Sequence, residues 1–189
     1  PNTMKFVANK MLVGEEVVAE YKNKEEAKNS SPIAEALFGF PFVKGVFITR
    51  NFITVSKIPA IEWEDITLEL RMFVSDWLKT NPEVITALPK TTQKDLELES
   101  EEKGNNISSS NYVPTITSEL DQKIVDLLEE FVRPAVENDG GAIHFKNFED
   151  GNVTVILKGS CSGCPSSTAT LKGGVEQLLR SHLPEVKEV

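Results

Sequence analysis

The chain has 189 residues, 40% of them hydrophobic and 26% charged, with a formal net charge of −9. This balance suits a soluble globular protein of one large domain or two small ones. It speaks against nucleic acid as a partner, which needs basic patches, and no apolar run approaches the roughly 20 residues that span a membrane.

The chain begins at Pro1 without a methionine, so processing or trimming ahead of it is expected. Short strands are expected at "MKFV" and "EVVAEY". "SPIAEALFGF" reads as a short helix, with Ser31 as its cap and Pro32 in its first turn. "VKGVFIT" and "FITVSK" flank Arg50-Asn51 and predict a hairpin. From Glu64 to Lys79, the spacing of Ile66, Leu70, Phe73, Val74 and Trp77 predicts an amphipathic helix. Nothing in this part forms a ligand constellation: it has no His, no Cys and no glycine-rich phosphate loop.

Residues 89 to 115 are acidic and rich in serine and asparagine, with few large apolar side chains. That composition predicts a flexible linker. It divides the chain into a domain at 1–88, the linker at 89–115 and a domain at 116–189. The expected fold class is α+β, two small α/β domains joined by a flexible acidic linker.

In the second domain, Ser118 with Asp121 three residues on reads as a capping box. Leu120, Ile124, Leu127, Leu128, Phe131 and Val132 then form one helical stripe. "NDGGA" ends the helix, with Gly140 and Gly141 both expected at positive φ. "AIHFKNF" and "NVTVILK" are alternating strands joined through a turn at Asp150-Gly151. After Pro165 a further helix carries Leu171, Val175, Leu178 and Leu179 on one face, and "VKEV" begins a last strand.

Between the second strand and this helix lies "KGSCSGCPSST", which holds both cysteines of the chain, Cys161 and Cys164. Two cysteines do not staple a secreted fold, so a reducing compartment is expected. A Cys-x-x-Cys pair can bind one metal or form a disulfide. Gly159 and Gly163 allow tight turns, Pro165 suits a helix start, and the helix dipole favours thiolate at Cys164. Three uses fit such sulfurs. A mononuclear zinc site would need His144 and His182 as well. They lie 38 residues apart in sequence; alternation turns His144 to solvent or the linker, and helical spacing gives His182 an edge or packing role. A thioredoxin-type redox site belongs in a βαβ context, which the order of elements here does not supply. An iron–sulfur cluster wants four thiolates, which two chains about a two-fold axis would provide.

The stretch "ENDGGAIHF…DGNVTVILKGSCSGCPSSTATLKGGVEQLLR" resembles the C-terminal domain of NifU, found in Nfu-type iron–sulfur proteins. "PNTMKF", "SPIAEALF", "VKGVFIT" and "FITVSK" resemble the Nfu N-terminal domain, in the same chain order. Two departures are Ala142, where the family often carries a further acidic residue, and a start that lacks the family's few residues before "PNT". The resemblance implies a scaffold or carrier, not an enzyme in the turnover sense. It implies a [4Fe–4S] cluster of iron and sulfide held by Cys161 and Cys164 of two subunits. The expected partners are a second copy in a cluster-loaded homodimer, an upstream cluster donor and apo iron–sulfur acceptor proteins. The expected compartment is the bacterial cytoplasm or, second, the mitochondrial matrix after removal of a transit peptide. A thiol–disulfide oxidoreductase using the same pair is the alternative.

Overall fold

The structure, a computed structural model, describes residues 2–15, 17–87, 116–160 and 165–189. The chain divides into two compact units, with the division at residues 112 and 113. The expected linker, residues 89–115, lies outside the described residues.

The first unit is built on a four-stranded antiparallel sheet. Its strands are β1 (Thr3–Val7), β2 (Val18–Tyr21), β3 (Val43–Thr49) and β4 (Phe52–Lys57), in the order β1-β4-β3-β2. The β3–β4 hairpin turns at Arg50, whose φ is 44°. Alternation sends Val46, Ile48, Ile53 and Val55 to one face, where they pack against helices α2 (Pro32–Leu37) and α3 (Trp63–Thr80). A short helix α1 (Lys24–Ala27) precedes α2. Ser31 caps α2 as expected: its Oγ accepts from the Ala34 N–H at 3.3 Å. The same hydroxyl donates to the Val84 carbonyl at 2.7 Å, which ties the segment after α3 to the start of α2. On α3 the expected stripe holds: Ile66, Leu70 and Val74 are buried, with Phe73 and Trp77 packed beside them.

The second unit starts with one helical run in three parts: α4 (Glu119–Leu127), a π-helical turn at Leu128–Val132, and α5 (Arg133–Asn138). The capping box at Ser118 and Asp121 is formed in both directions. The π turn alters the expected stripe. Residues four apart drift round an α-helix by about 40° per step, because 3.6 residues complete a turn. The turn, in which Arg133 N–H bonds the Leu128 carbonyl, winds in an extra residue and cancels part of that drift. Ile124, Leu128, Val132 and Val136 therefore share the buried face. Phe131, assigned to that stripe from the sequence, is instead half exposed, at 50%.

The run ends at Gly140, whose φ of 81° turns the chain into the hairpin of β5 (Gly141–Glu149) and β6 (Asn152–Gly159). Gly141, also expected at positive φ, is an ordinary strand residue paired with Gly159. Asp150 (φ 53°) and Gly151 (φ 91°) form the expected turn; positive φ at both suits a two-residue hairpin loop. A bulge between Phe145 and Asn147 adds one residue to β5. It returns Phe148 to the side of Ile143 and Phe145, so these three face Val153, Val155 and Leu157 across the ladder. Helix α6 (Pro165–His182) closes this core with Val175 and Leu179. The expected final strand is reduced to one parallel bridge, Asn152 to Glu188. The Lys187 N–H donates to the Gly151 carbonyl at 2.7 Å, and the Val153 N–H to that of Glu188 at 2.8 Å. Val186 is buried beneath this short tail.

Candidate functional site

Cys161 and Cys164 fall in residues 161–164, outside the described residues. What the structure describes is the frame from which that segment departs and to which it returns. On the departing side β6 ends at Gly159, held opposite Gly141 in the ladder. Gly159 has a φ of 74°, a left-handed conformation that a side chain would strain. Ser160 follows. Its hydroxyl donates to the main-chain carbonyl of Asp139, and its N–H donates to the Gly140 carbonyl at 3.4 Å.

These bonds join the end of β6 to the end of α5. Asp139 closes α5 as its C-cap, so its carbonyl belongs to the group that a helix end leaves without intrahelical donors. Ser160 satisfies it from 21 residues away. On the returning side the chain re-enters as α6 at Pro165. Proline at a helix start forfeits nothing, because the first N–H groups have no intrahelical acceptor. In sequence, the four residues with both thiols thus join a strand end to a helix start.

The two histidines take different places. His144, expected to face solvent or the linker, is largely buried, opposite Ile156 on the face of the hairpin turned away from Phe145. Burial first, then the positive charges of Lys158 and Arg133, push its pKa from 6.5 down to about 4. The imidazole is therefore neutral at physiological pH. Arg133 is held by Glu129 at 2.5 Å and Glu137 at 3.8 Å, one helical turn to either side. His182 is exposed at the end of α6, an edge position. Its Nδ1 lies 3.0 Å from the Leu178 carbonyl and 2.9 Å from Ser181 Oγ, and its ring lies 6.0 Å from that of Phe131. Among the described residues, no group of three or more His, Cys, Asp or Glu side chains could hold a metal ion.

Sequence reasoning missed the Ser160–Asp139 tie and the Arg133–Lys158 pair of cations around His144. Ser160 stands between Gly159 and the first cysteine, a position that could have suggested a supporting hydroxyl. Nothing in the local pattern joins Arg133 to Lys158; only the packing of α5 on the hairpin does so. Among the described residues no helix is long and apolar enough to cross a membrane.

Comparison with known proteins bears on this frame. Residues 124–189 match the model of the NifU-like domain, and residues 1–91 match that of the scaffold protein Nfu/NifU N terminal. The whole chain aligns with proteins named "NFU1 iron-sulfur cluster scaffold homolog, mitochondrial". The Drosophila sechellia protein is 35% identical over 190 residues, and the chain spans 60% of its length. The Homo sapiens protein is 34% identical over 189 residues, and the chain spans 67% of it. The chain thus covers about three fifths to two thirds of the length of these relatives. A crystal structure of a Staphylococcus aureus protein overlaps 39% of this chain and 86% of its own, at a TM-score of 0.34 and 20% identity. With a domain of each kind in the same order, and full-length alignment above 30% identity, the chain belongs to the family of Nfu-type iron–sulfur cluster scaffold proteins.

Proposed function

We propose that the protein assembles or carries a [4Fe–4S] cluster on Cys161 and Cys164 and delivers it to apo iron–sulfur proteins. The observation that carries this reading is the frame. The only two thiols of the chain lie in a four-residue segment between a pinned strand end at Gly159–Ser160 and the first residue of α6. Thiolate is the ligating form of cysteine, and a helix N-terminus favours negative charge. Lys158, three residues before Cys161, acts in the same sense, since a cluster held by thiolates is anionic.

The cluster is cargo, so the site must hold it and also let it go. One chain offers two thiolates and a cluster wants four, so two copies share it about a two-fold axis. The acceptors are apo-proteins with thiols of their own, which displace Cys161 and Cys164 one at a time. An upstream donor supplies iron and sulfide as a preformed cluster. Catalytic turnover forms no part of this role. The relatives' names carry the mitochondrion, which favours the matrix over the bacterial cytoplasm. The domain limits 1–88 and 116–189 are retained in this reading, with 89–115 joining them.

Anaerobic reconstitution with iron and sulfide tests this. The protein should turn brown and hold iron and acid-labile sulfide in equal amounts. Cys161→Ala and Cys164→Ala should each abolish both. A single-cysteine variant that retains a full cluster would overturn the ligand assignment.

A further inference from the structure

Helix α6 carries two adjacent glycines, Gly173 and Gly174, at its midpoint. A glycine inside a helix costs stability relative to alanine, so a pair of them calls for a reason. Two usual reasons do not apply. Neither residue has a positive φ. A Cβ at either position would meet no atom within 4 Å among the described residues, so no close packing shuts a side chain out.

The glycines divide α6 into halves of opposite character. In the second half Val175 and Leu179 are buried, and Leu183 is buried just past its end. Glu176, Gln177, Leu178 and Arg180 are good helix formers, and Glu176 pairs with Arg180 one turn on, at 2.9 Å. In the first half Thr168, Ala169, Thr170 and Lys172 are exposed, and Leu171 is half-buried against the core. Ser166, Ser167, Thr168 and Thr170 are residue types that favour other backbone conformations or lose side-chain freedom in a helix. Lys172 reaches Glu188 at 3.1 Å, but both side chains are more than half exposed, and such a pair adds little. A helix as short as residues 165–173 also falls below the roughly 12–15 residues that stay helical in water unaided.

We infer that Gly173 and Gly174 form a hinge at which the first half of α6 unwinds while the second half stays packed. Local opening of this kind starts where the fold buries least. Its consequence rests on the function proposed above. With α6 whole, the cysteines lie between Ser160 and the helix start at Pro165. With the first half unwound, they lie on a tether that runs from Ser160 to Gly173. The longer tether lets the thiolates turn to an acceptor, so the cluster is handed over through the opened form. Each acceptor thiol that binds iron gives its proton to the cysteine thiolate it displaces, so the exchange needs no oxidant or reductant.

Hydrogen exchange of the full, cluster-free chain tests the hinge by itself. Amides of residues 169–173 should exchange at least about tenfold faster than those of 179–182. The double variant Gly173→Ala/Gly174→Ala should slow the first set at least about fivefold, the factor that the helix preference of alanine over glycine gives at one position. Equal exchange of the two sets in the parent, or exchange of residues 169–173 that the double variant leaves unchanged or quickens, would overturn the hinge. In a second arm the reconstituted protein passes its cluster to a synthetic peptide with four cysteines. The double variant should hold as much iron as the parent and transfer it more slowly, by the same factor as the exchange. Slowed exchange with transfer at the parent's rate would overturn the role in hand-over. A parent chain that binds no iron would count against the proposed function instead, and the exchange arm would still decide the hinge.

Discussion

Ser160 donates its hydroxyl to the main-chain carbonyl of Asp139 and so fastens the end of β6 to the end of the long helical run. This bond lies one residue before Cys161, and its removal separates support from ligation. Ser160→Ala should cost about 0.5–1.5 kcal/mol of stability, the ordinary worth of one hydrogen bond. Iron and sulfide per chain should be unchanged, as read by metal analysis beside a urea titration. A folded variant that no longer holds iron would make Ser160 a ligand.

Gly159 sustains a φ of 74° at the same junction. Gly159→Ala forces a side chain into the left-handed region, at a cost of about 1–2 kcal/mol. The unfolding midpoint should fall. Cluster release to an acceptor should quicken, because the departing strand end is no longer held at its native angle. A stability equal to that of the parent would contradict the strain argument.

The start of α4 depends on Asp121. Its Oδ2 accepts from the Thr117 N–H at 2.8 Å, Thr117 Oγ1 at 2.8 Å and the Ser118 N–H at 2.9 Å. Burial raises the carboxyl's pKa, but these three bonds, together with the Ser118 side chain, outweigh it and hold it below the usual 3.8. Asp121→Ala should destabilise the second unit by about 1–2 kcal/mol, as loss of a capping residue does. Asp121→Asn, which keeps one acceptor, should cost less. Hydrogen exchange at residues 119–127 would report both.

His144 sets an acid limit. Its pKa is about 4 in the fold against 6.5 for the free side chain, so the fold favours the neutral imidazole. Its contribution is intact above pH 6.5 and is lost as pH falls towards 4, where the unfolded chain takes up a proton that the folded chain does not. The loss amounts to about 3 kcal/mol by pH 4. Asp121 acts in the same direction only below 3.8, so the two windows separate. Urea titrations of the full chain, read at β5 and β6 amides, should show this slope, and His144→Gln should flatten it. An unchanged slope in the variant would assign the acid sensitivity elsewhere.

Much of the fold was legible because each element carries its own period. Ile66, Leu70 and Val74 announce α3, and Ser118 with Asp121 announces α4. What escaped needs information from outside the local window. Phe131 fits an α-helical stripe, and only the π turn, set by packing, exposes it. His144 alternates out of the core correctly, yet the far face of its hairpin is itself covered. "VKEV" has strand composition, but the tail touches the β5–β6 turn at a single bridge. At the candidate site, the thiols and their glycines could be read from one short stretch. The Ser160–Asp139 tie could not, because a serine gives no sign of which carbonyl it will meet.

The central claim is that two chains share one cluster through Cys161 and Cys164. The measurement that tests it most directly is native mass spectrometry of the anaerobically reconstituted protein, with a chelator added in a second arm. One [4Fe–4S] cluster per pair of chains is predicted, with dissociation to cluster-free monomers once the iron is stripped. A monomer carrying a whole cluster, or a dimer that outlasts the loss of its iron, would contradict it.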